Sequence, residues 1–262
     1  MASPCDLGGR GVLVTRPAAQ AETLCRLIVA ANGRAIAVPS IEIAPVLDPA
    51  GATALLAQSW DMAYFVSRNA VEQALALGAD GAWPGVARIA AVGRATAQAL
   101  GAAGRTPDLV PGERYDSETL LAMPELADMR GQRVLIVRGE GGRTLFAETL
   151  RARGAEVAFA EVYRRLRPDF DPAPLLTHWD DQVALVTATS GEVLANLLEM
   201  LGPEGRAPLL ATPLVVVAER TATAARELGF ARVAVAERAE DEAIVEALCA
   251  LSRVDEDARA VR

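Results

Sequence analysis

Val12-Leu13-Val14-Thr15-Arg16 is an apolar run that ends in polar residues, and Val134-Leu135-Ile136-Val137-Arg138 repeats it 122 positions later. A short, unbroken apolar run of this kind is the pattern of a strand buried on both faces of a parallel sheet. Each run is followed by a helix-length stretch that stops at a glycine, Ala18 to Asn32 before Gly33 and Thr144 to Arg153 before Gly154. Glycine suits the position just past a helix end, where the backbone turns left-handed. The recurring unit is therefore strand, helix and helix stop together.

The correspondence continues outward from these strands. Second strands are predicted around Ala35 to Ile43 and Ala155 to Arg164. Ala63-Tyr64-Phe65-Val66-Ser67 answers Leu185-Val186-Thr187-Ala188-Thr189-Ser190, with the two serines 123 positions apart. Thr96 in Gly93-Arg94-Ala95-Thr96 answers Thr221 in Ala218-Glu219-Arg220-Thr221 at 125, and Asp116-Ser117-Glu118 answers Glu240-Asp241-Glu242 at 124. Solenoid units run about 20 to 50 residues, so a period this long points to duplication of a whole unit. Strands alternating with helices imply an α/β fold of two lobes, each a parallel sheet flanked by helices, with ligands at the carboxyl ends of the strands. Ser252 to Arg262 is charged and small, without an apolar period, and is expected to be disordered.

A chain of 262 residues is comfortable for two domains, and 52% hydrophobic residues suffice for two cores. The net charge of −8 argues against a nucleic-acid partner, which calls for a basic face. No run approaches the roughly 20 apolar residues of a membrane span. The first residues carry Asp6 and glycines where a signal peptide has its apolar core, so a cytoplasmic location and no membrane partner are expected. All 26 basic residues are arginine, which excludes a lysine phosphate loop and lysine Schiff-base chemistry. Cys5, Cys25 and Cys249 are too far apart in sequence for a CxxC pair or a clustered zinc site, and Cys25 and Cys249 read as core residues. With His178 as the single histidine, no metal site is expected.

The residues left to carry chemistry stand where strands end. Arg16 and Arg138 close the first strand of each unit and can present a planar fork of donors to a carboxylate, or form ion pairs beside the strand end. Ser67, Ser190, Thr96 and Thr221 stand where strands give way to helices. Their hydroxyls and the adjacent backbone N–H groups can meet an anion, or cap the helix. Gly139-Glu140-Gly141-Gly142 lacks the register of a dinucleotide-binding turn and Gly93 stands alone, so both glycines read as tight turns exposing backbone donors. Asp180-Asp181 and Glu240-Asp241-Glu242 read as a loop and a helix start. The pattern as a whole suits a small anionic ligand.

These residues resemble the uroporphyrinogen-III synthase family. The resemblance runs through Val12 to Pro17, Pro39-Ser40-Ile41, Phe65 to Val71 and Val92 to Ala97, then Leu135 to Gly139, Val162-Tyr163-Arg164-Arg165, Thr189 to Glu192 and Glu219 to Ala222. It implies two lobes joined by a two-stranded β ribbon: lobe one at 1–38 and 169–262, lobe two at 48–160, and ribbon strands at 39–47 and 161–168. It implies, further, an enzyme that closes the linear tetrapyrrole hydroxymethylbilane to uroporphyrinogen III, losing water and inverting the last pyrrole ring. The substrate's eight carboxylates suit Arg16, Ser67, Gly93, Thr96, Arg138, Gly139, Ser190 and Thr221 as contacts. The family's Val-Tyr motif falls on Tyr163, on the return ribbon strand, which the resemblance makes the candidate acid for the departing hydroxyl; the alternative is an aromatic packing residue on that strand.

On this reading the pyrrole nitrogens expel hydroxide themselves, and the protein's task is mostly to fold the substrate for attack in a cleft between mobile lobes. Orientation of that kind is worth roughly 7–11 kcal/mol in favourable cases. Two departures from the family pattern stand out: Ala218-Glu219 where the partner turn has Gly93-Arg94, and Val66 where many relatives carry threonine. No cofactor is implied, and a monomer is expected. A non-catalytic two-lobed binding or sensing module for a small anion remains the alternative, although such modules are usually exported. A transferase is disfavoured by the missing lysine and phosphate loop.

Overall fold

The computed structural model describes residues 5–78, 85–112 and 117–260. Asp116, from the last of the matched landmarks, lies outside them. The chain packs as two units, Met1–Glu42 with Leu166–Arg262, and Ile43–Arg165. It opens with β1 (Gly11–Val14), α1 (Ala18–Ala30) and β2 (Arg34–Ala37). Then follow β3 (Glu42–Ala44), α2 (Ala50–Leu56), β4 (Ser59–Phe65), α3 (Arg68–Leu77), β5 (Gly85–Ala91) and α4 (Arg94–Ala102). After α5 (Ser117–Leu121) come β6 (Arg133–Gly139), α6 (Leu145–Ala152) and β7 (Glu156–Leu166). The return brings α7 (Ala173–Thr177), α8 (Trp179–Gln182), β8 (Leu185–Ala188) and α9 (Gly191–Ala211), the last interrupted at Gly202. It ends with β9 (Leu214–Val216), α10 (Glu219–Leu228), β10 (Val233–Val235) and α11 (Asp241–Ala260).

The first unit is built on a five-stranded sheet in the order β10-β9-β8-β1-β2, with every pairing parallel. Val12, Leu13 and Val14 are wholly buried, as an unbroken apolar strand requires when helices cover both faces. On one side Val12 and Val14 meet Leu24 and Ile28 of α1 together with Ile244 and Leu248 of α11. In each helix those two residues are four apart and share one face. Each such side chain contributes about 1.5–3 kcal/mol by leaving water.

Three expectations change in this unit. The left-handed residue after α1 is Asn32 (φ 57), and Gly33 is needed for space, since a Cβ there would stand 2.7 Å from Leu7 Cδ1 and 3.0 Å from the Ile28 carbonyl oxygen. Asparagine tolerates the left-handed region well enough to take the role expected of glycine. After α6, by contrast, Gly154 itself is left-handed (φ 94). The stretch from Ser252 is not disordered as far as it is described, because α11 continues to Ala260 and Ser252 is buried with its hydroxyl taking a hydrogen bond from Arg10. The missing apolar period removed a packing signal, but Glu, Arg and Ala are good helix formers and extend a helix already anchored by Ile244 and Leu248. Cys249 is not a plain core thiol; it forms a disulfide with Cys5, 244 positions away. Such a pairing cannot be read from spacing. Cys25 is free.

The second unit carries its strands in the order β5-β4-β6-β7-β3, with β5, β4, β6 and β7 parallel. The sequence offset sets β6 against β1, β7 against β2, β4 against β8 and β5 against β9, and both sheets hold these strands in the same order. Side chains alternate across the sheet: Phe65, Leu135 and Val137 pack beneath α3 and α4, while Tyr64, Val134 and Ile136 pack with Phe146 and Leu150 of α6. β3, only three residues long, stands at the edge of this sheet beside β7. β7 is eleven residues long, and its earlier part pairs with β6.

Candidate functional site

In the second unit the carboxyl ends of β4, β6 and β7 bring three of the candidate residues into contact. Ser67 follows β4 and is the N-cap of α3, its Oγ accepting the Ala70 N–H at 3.1 Å. The same oxygen lies 3.1 Å from the Tyr163 hydroxyl. Tyr163 is 3% exposed, with its ring in the core under α3. Its position depends on an irregularity: β6 and β7 pair in step up to Arg138 with Glu161, then shift so that Gly139 faces Tyr163. Bulges of this sort re-aim side chains beside functional sites. A Cβ on Gly139 would stand 2.6 Å from Tyr163 Cε2 and 2.7 Å from Cζ, so the ring lies directly on the glycine backbone. The Glu140 N–H donates to the Tyr163 carbonyl oxygen at 2.8 Å and fixes the strand there.

Gly139, expected as a donor turn, also makes room for the tyrosine. Arg138, next to it, is 12% exposed at its side chain and donates to Glu161 at 2.8 and 3.2 Å, with its guanidinium carbon 3.9 Å from the Phe159 ring centroid. The ion-pair alternative is therefore realised. Arg138 nevertheless also lines a cavity of about 200 Å³ on the α6 side of the sheet, with Arg143, Arg165, Ser117 and Tyr64. Tyr64 is stacked on Phe146 and its hydroxyl lies 3.1 Å from Ser117 Oγ.

Gly93 is the N-cap of α4, where no side chain caps the helix. The backbone N–H groups of an uncapped first turn are the donors an anion would seek. Thr96, two residues into α4, is 2% exposed and lies inside the helix instead of capping it.

The first unit presents the same set at its own carboxyl edge with different detail. Ser190 is the N-cap of α9 and accepts the Val193 N–H at 3.2 Å. Thr221 lies inside α10, 3% exposed, below an N-cap, Ala218, that makes no side-chain bond. Arg16 is ion-paired to Asp241 at 2.6 Å, and Asp241 is the first residue of α11, which the sequence offered only as a helix start. The offset of 122 sets the buried Ile41 against Tyr163, so this unit has the serine cap without the phenol. Burial pushes the Cys25 thiol above its ordinary value, with Arg16 opposing and Asp241 adding to the effect, so it is no activated nucleophile.

A larger cavity, about 400 Å³, opens at the amino edge of the first sheet beside Gly11, Trp179 and Arg232. No candidate residue lines it, and the Arg34 guanidinium there is held by the Gly9 and Asp181 carbonyl oxygens. Among the described residues no cluster of histidine, cysteine or acid could hold a metal ion, and no helix is long and apolar enough to cross a membrane.

The family model for uroporphyrinogen-III synthase HemD matches residues 22–246. The Escherichia coli uroporphyrinogen-III synthase is 38% identical over 244 residues, covering 90% of this chain and 99% of that protein. The Salmonella typhimurium enzyme of the same name is 39% identical over 246 residues, with the same coverage. The fold is similar to a solved mutant uroporphyrinogen III synthase from Thermus thermophilus, with TM-score 0.62 and 21% identity over 94% of this chain and 99% of that one. It is also similar to the Helicobacter pylori uroporphyrinogen-III synthetase, with TM-score 0.55 and 15% identity over 92% and 99%. By the reach of the family model and the identity to the two enterobacterial enzymes, this chain belongs to the uroporphyrinogen-III synthase family.

Proposed function

We propose that this protein cyclises hydroxymethylbilane to uroporphyrinogen III, with the Tyr163 hydroxyl as the acid that meets the departing hydroxyl group. The observation that carries the assignment to Tyr163 is its hydroxyl held 3.1 Å from Ser67 at the carboxyl edge of the second sheet, beside Gly139. A pyrrole nitrogen lone pair breaks the C–O bond of the substrate's hydroxymethyl group. Tyr163 gives its proton to the oxygen as it leaves, so that water departs and an azafulvenium remains. The substituted α-carbon of the last ring attacks that methylene carbon to give a spiro intermediate. The bond from that α-carbon to its original methylene bridge then breaks, leaving a second azafulvenium on the neighbouring ring. The unsubstituted α-carbon of the last ring attacks the freed methylene, which closes the macrocycle with that ring inverted. When the new macrocycle loses a proton to restore the pyrroles, the phenolate takes one back.

Binding falls to other groups. The Arg16 and Arg138 guanidiniums meet substrate carboxylates as planar forks. The N–H groups near Gly93 and Gly139 and the hydroxyls of Thr96, Ser190 and Thr221 supply further donors. A cytoplasmic location and a monomeric state go with this reading.

A positioned general acid is worth about 10²–10⁴ in rate, and a substrate that drives much of its own ionisation uses the lower end. Tyr163→Phe keeps the ring on Gly139 and removes only the hydroxyl. The expected result is a fall in kcat of about tenfold or more with unchanged unfolding. Turnover close to that of the unsubstituted protein would overturn the assignment.

A further inference from the structure

We infer that Ser67 is a positioning residue for Tyr163, stabilising the phenol oxygen while it lacks its proton, and not itself a contact to substrate; this rests on Tyr163 being the acid. A serine hydroxyl has one proton to give and two lone pairs to receive. One lone pair of Ser67 is taken by the Ala70 N–H at 3.1 Å, in the first turn of α3 where the helix end is positive. An oxygen already engaged as an acceptor is a stronger donor, because hydrogen bonds in a chain polarise one another. Its proton has the Tyr163 oxygen within reach at 3.1 Å. The chain of donors therefore runs from the Ala70 N–H through the Ser67 O–H to Tyr163 Oη.

The proton balance follows from that direction. Tyr163 gives its own proton to the leaving oxygen, Ser67 keeps its proton throughout, and the negative charge on the phenol oxygen is met by the Ser67 O–H until Tyr163 is reprotonated. The ring lies on the Gly139 backbone, and the strand that carries it is tied there by the Glu140 N–H on the Tyr163 backbone carbonyl oxygen. The first unit supplies the contrast: Ser190 caps α9 in the same way, but Ile41 stands where the offset would put the phenol. A cap is needed in both units, and a cap that also faces a phenol in only one.

The test is a double-substitution cycle on the full chain, measuring kcat and KM with hydroxymethylbilane and unfolding for each variant. Ser67→Ala should lower kcat about tenfold with KM little changed, and Ser67→Thr should recover most of the loss. The double variant Ser67→Ala with Tyr163→Phe should be no slower than Tyr163→Phe alone, because Ser67 acts only through the phenol oxygen. A cap lost for structural reasons would slow both backgrounds equally. Should Ser67→Ala fold poorly, Ser67→Gly keeps most of the capping free energy and removes the hydroxyl. If Tyr163→Phe is slow while Ser67→Ala is near normal, or if the two losses multiply, the inference is wrong and Tyr163 stands alone as the acid. A near-normal Tyr163→Phe overturns both.

Discussion

Gly139 is the residue on which the placement of Tyr163 turns. Alanine there would drive a methyl group to about 2.6 Å from the phenol ring, and overpacking of this kind costs roughly 1–3 kcal/mol. Gly139→Ala is expected to lower the unfolding midpoint and to cut kcat at least as much as Tyr163→Phe, since it displaces both ring and hydroxyl. Normal kcat in a folded Gly139→Ala protein would show that the ring position does not matter. The arginines are expected to behave differently, because a carboxylate contact present from binding to product is uniform binding. Replacing Arg16 or Arg138 by alanine should raise KM more than it lowers kcat. If KM is unchanged in both, their bonds to Asp241 and Glu161 are the whole of their purpose. At this scale the sequence yields residue types at strand ends but not their partners. Ser67 and Tyr163 each stand out in it, yet their contact depends on a one-step shift between β6 and β7 that no spacing records.

Among elements, the buried strands were the most legible, because an apolar run such as Val134 to Val137 leaves little choice but the middle of a sheet. The ends of elements were less so. Asn32 takes the left-handed role expected of Gly33, and α11 runs on past the last apolar stripe. The Cys5–Cys249 disulfide ties the start of the chain to α11, and nothing local to either cysteine announces it. Closing so long a loop is expected to stabilise by about 2–5 kcal/mol. Cys5→Ser should therefore shift the denaturant midpoint down, and reductant should do the same to the unsubstituted protein but not to the variant. With the disulfide intact, Cys25 should be the single reactive thiol, slow at neutral pH and faster as pH rises, because burial holds its ionisation above the ordinary value. Three thiols titrating in the denatured, unreduced protein would contradict the pairing.

For the molecule as a whole, the missing lysine, the single histidine and the scattered cysteines removed most cofactor chemistry before any fold was known. What they leave are arginines, hydroxyls and backbone donors, which on the proposed reading act at the carboxyl edges of the two sheets. That arrangement matches a reaction whose difficulty lies in orientation, where spontaneous closure at the unsubstituted carbon gives the type I isomer. The most direct measurement is to supply freshly made hydroxymethylbilane with chelator present, oxidise the products and separate the isomers. The account predicts type III as the dominant product at a rate proportional to protein concentration and unaffected by the chelator. Type I alone, formed at the rate seen without protein, would contradict it.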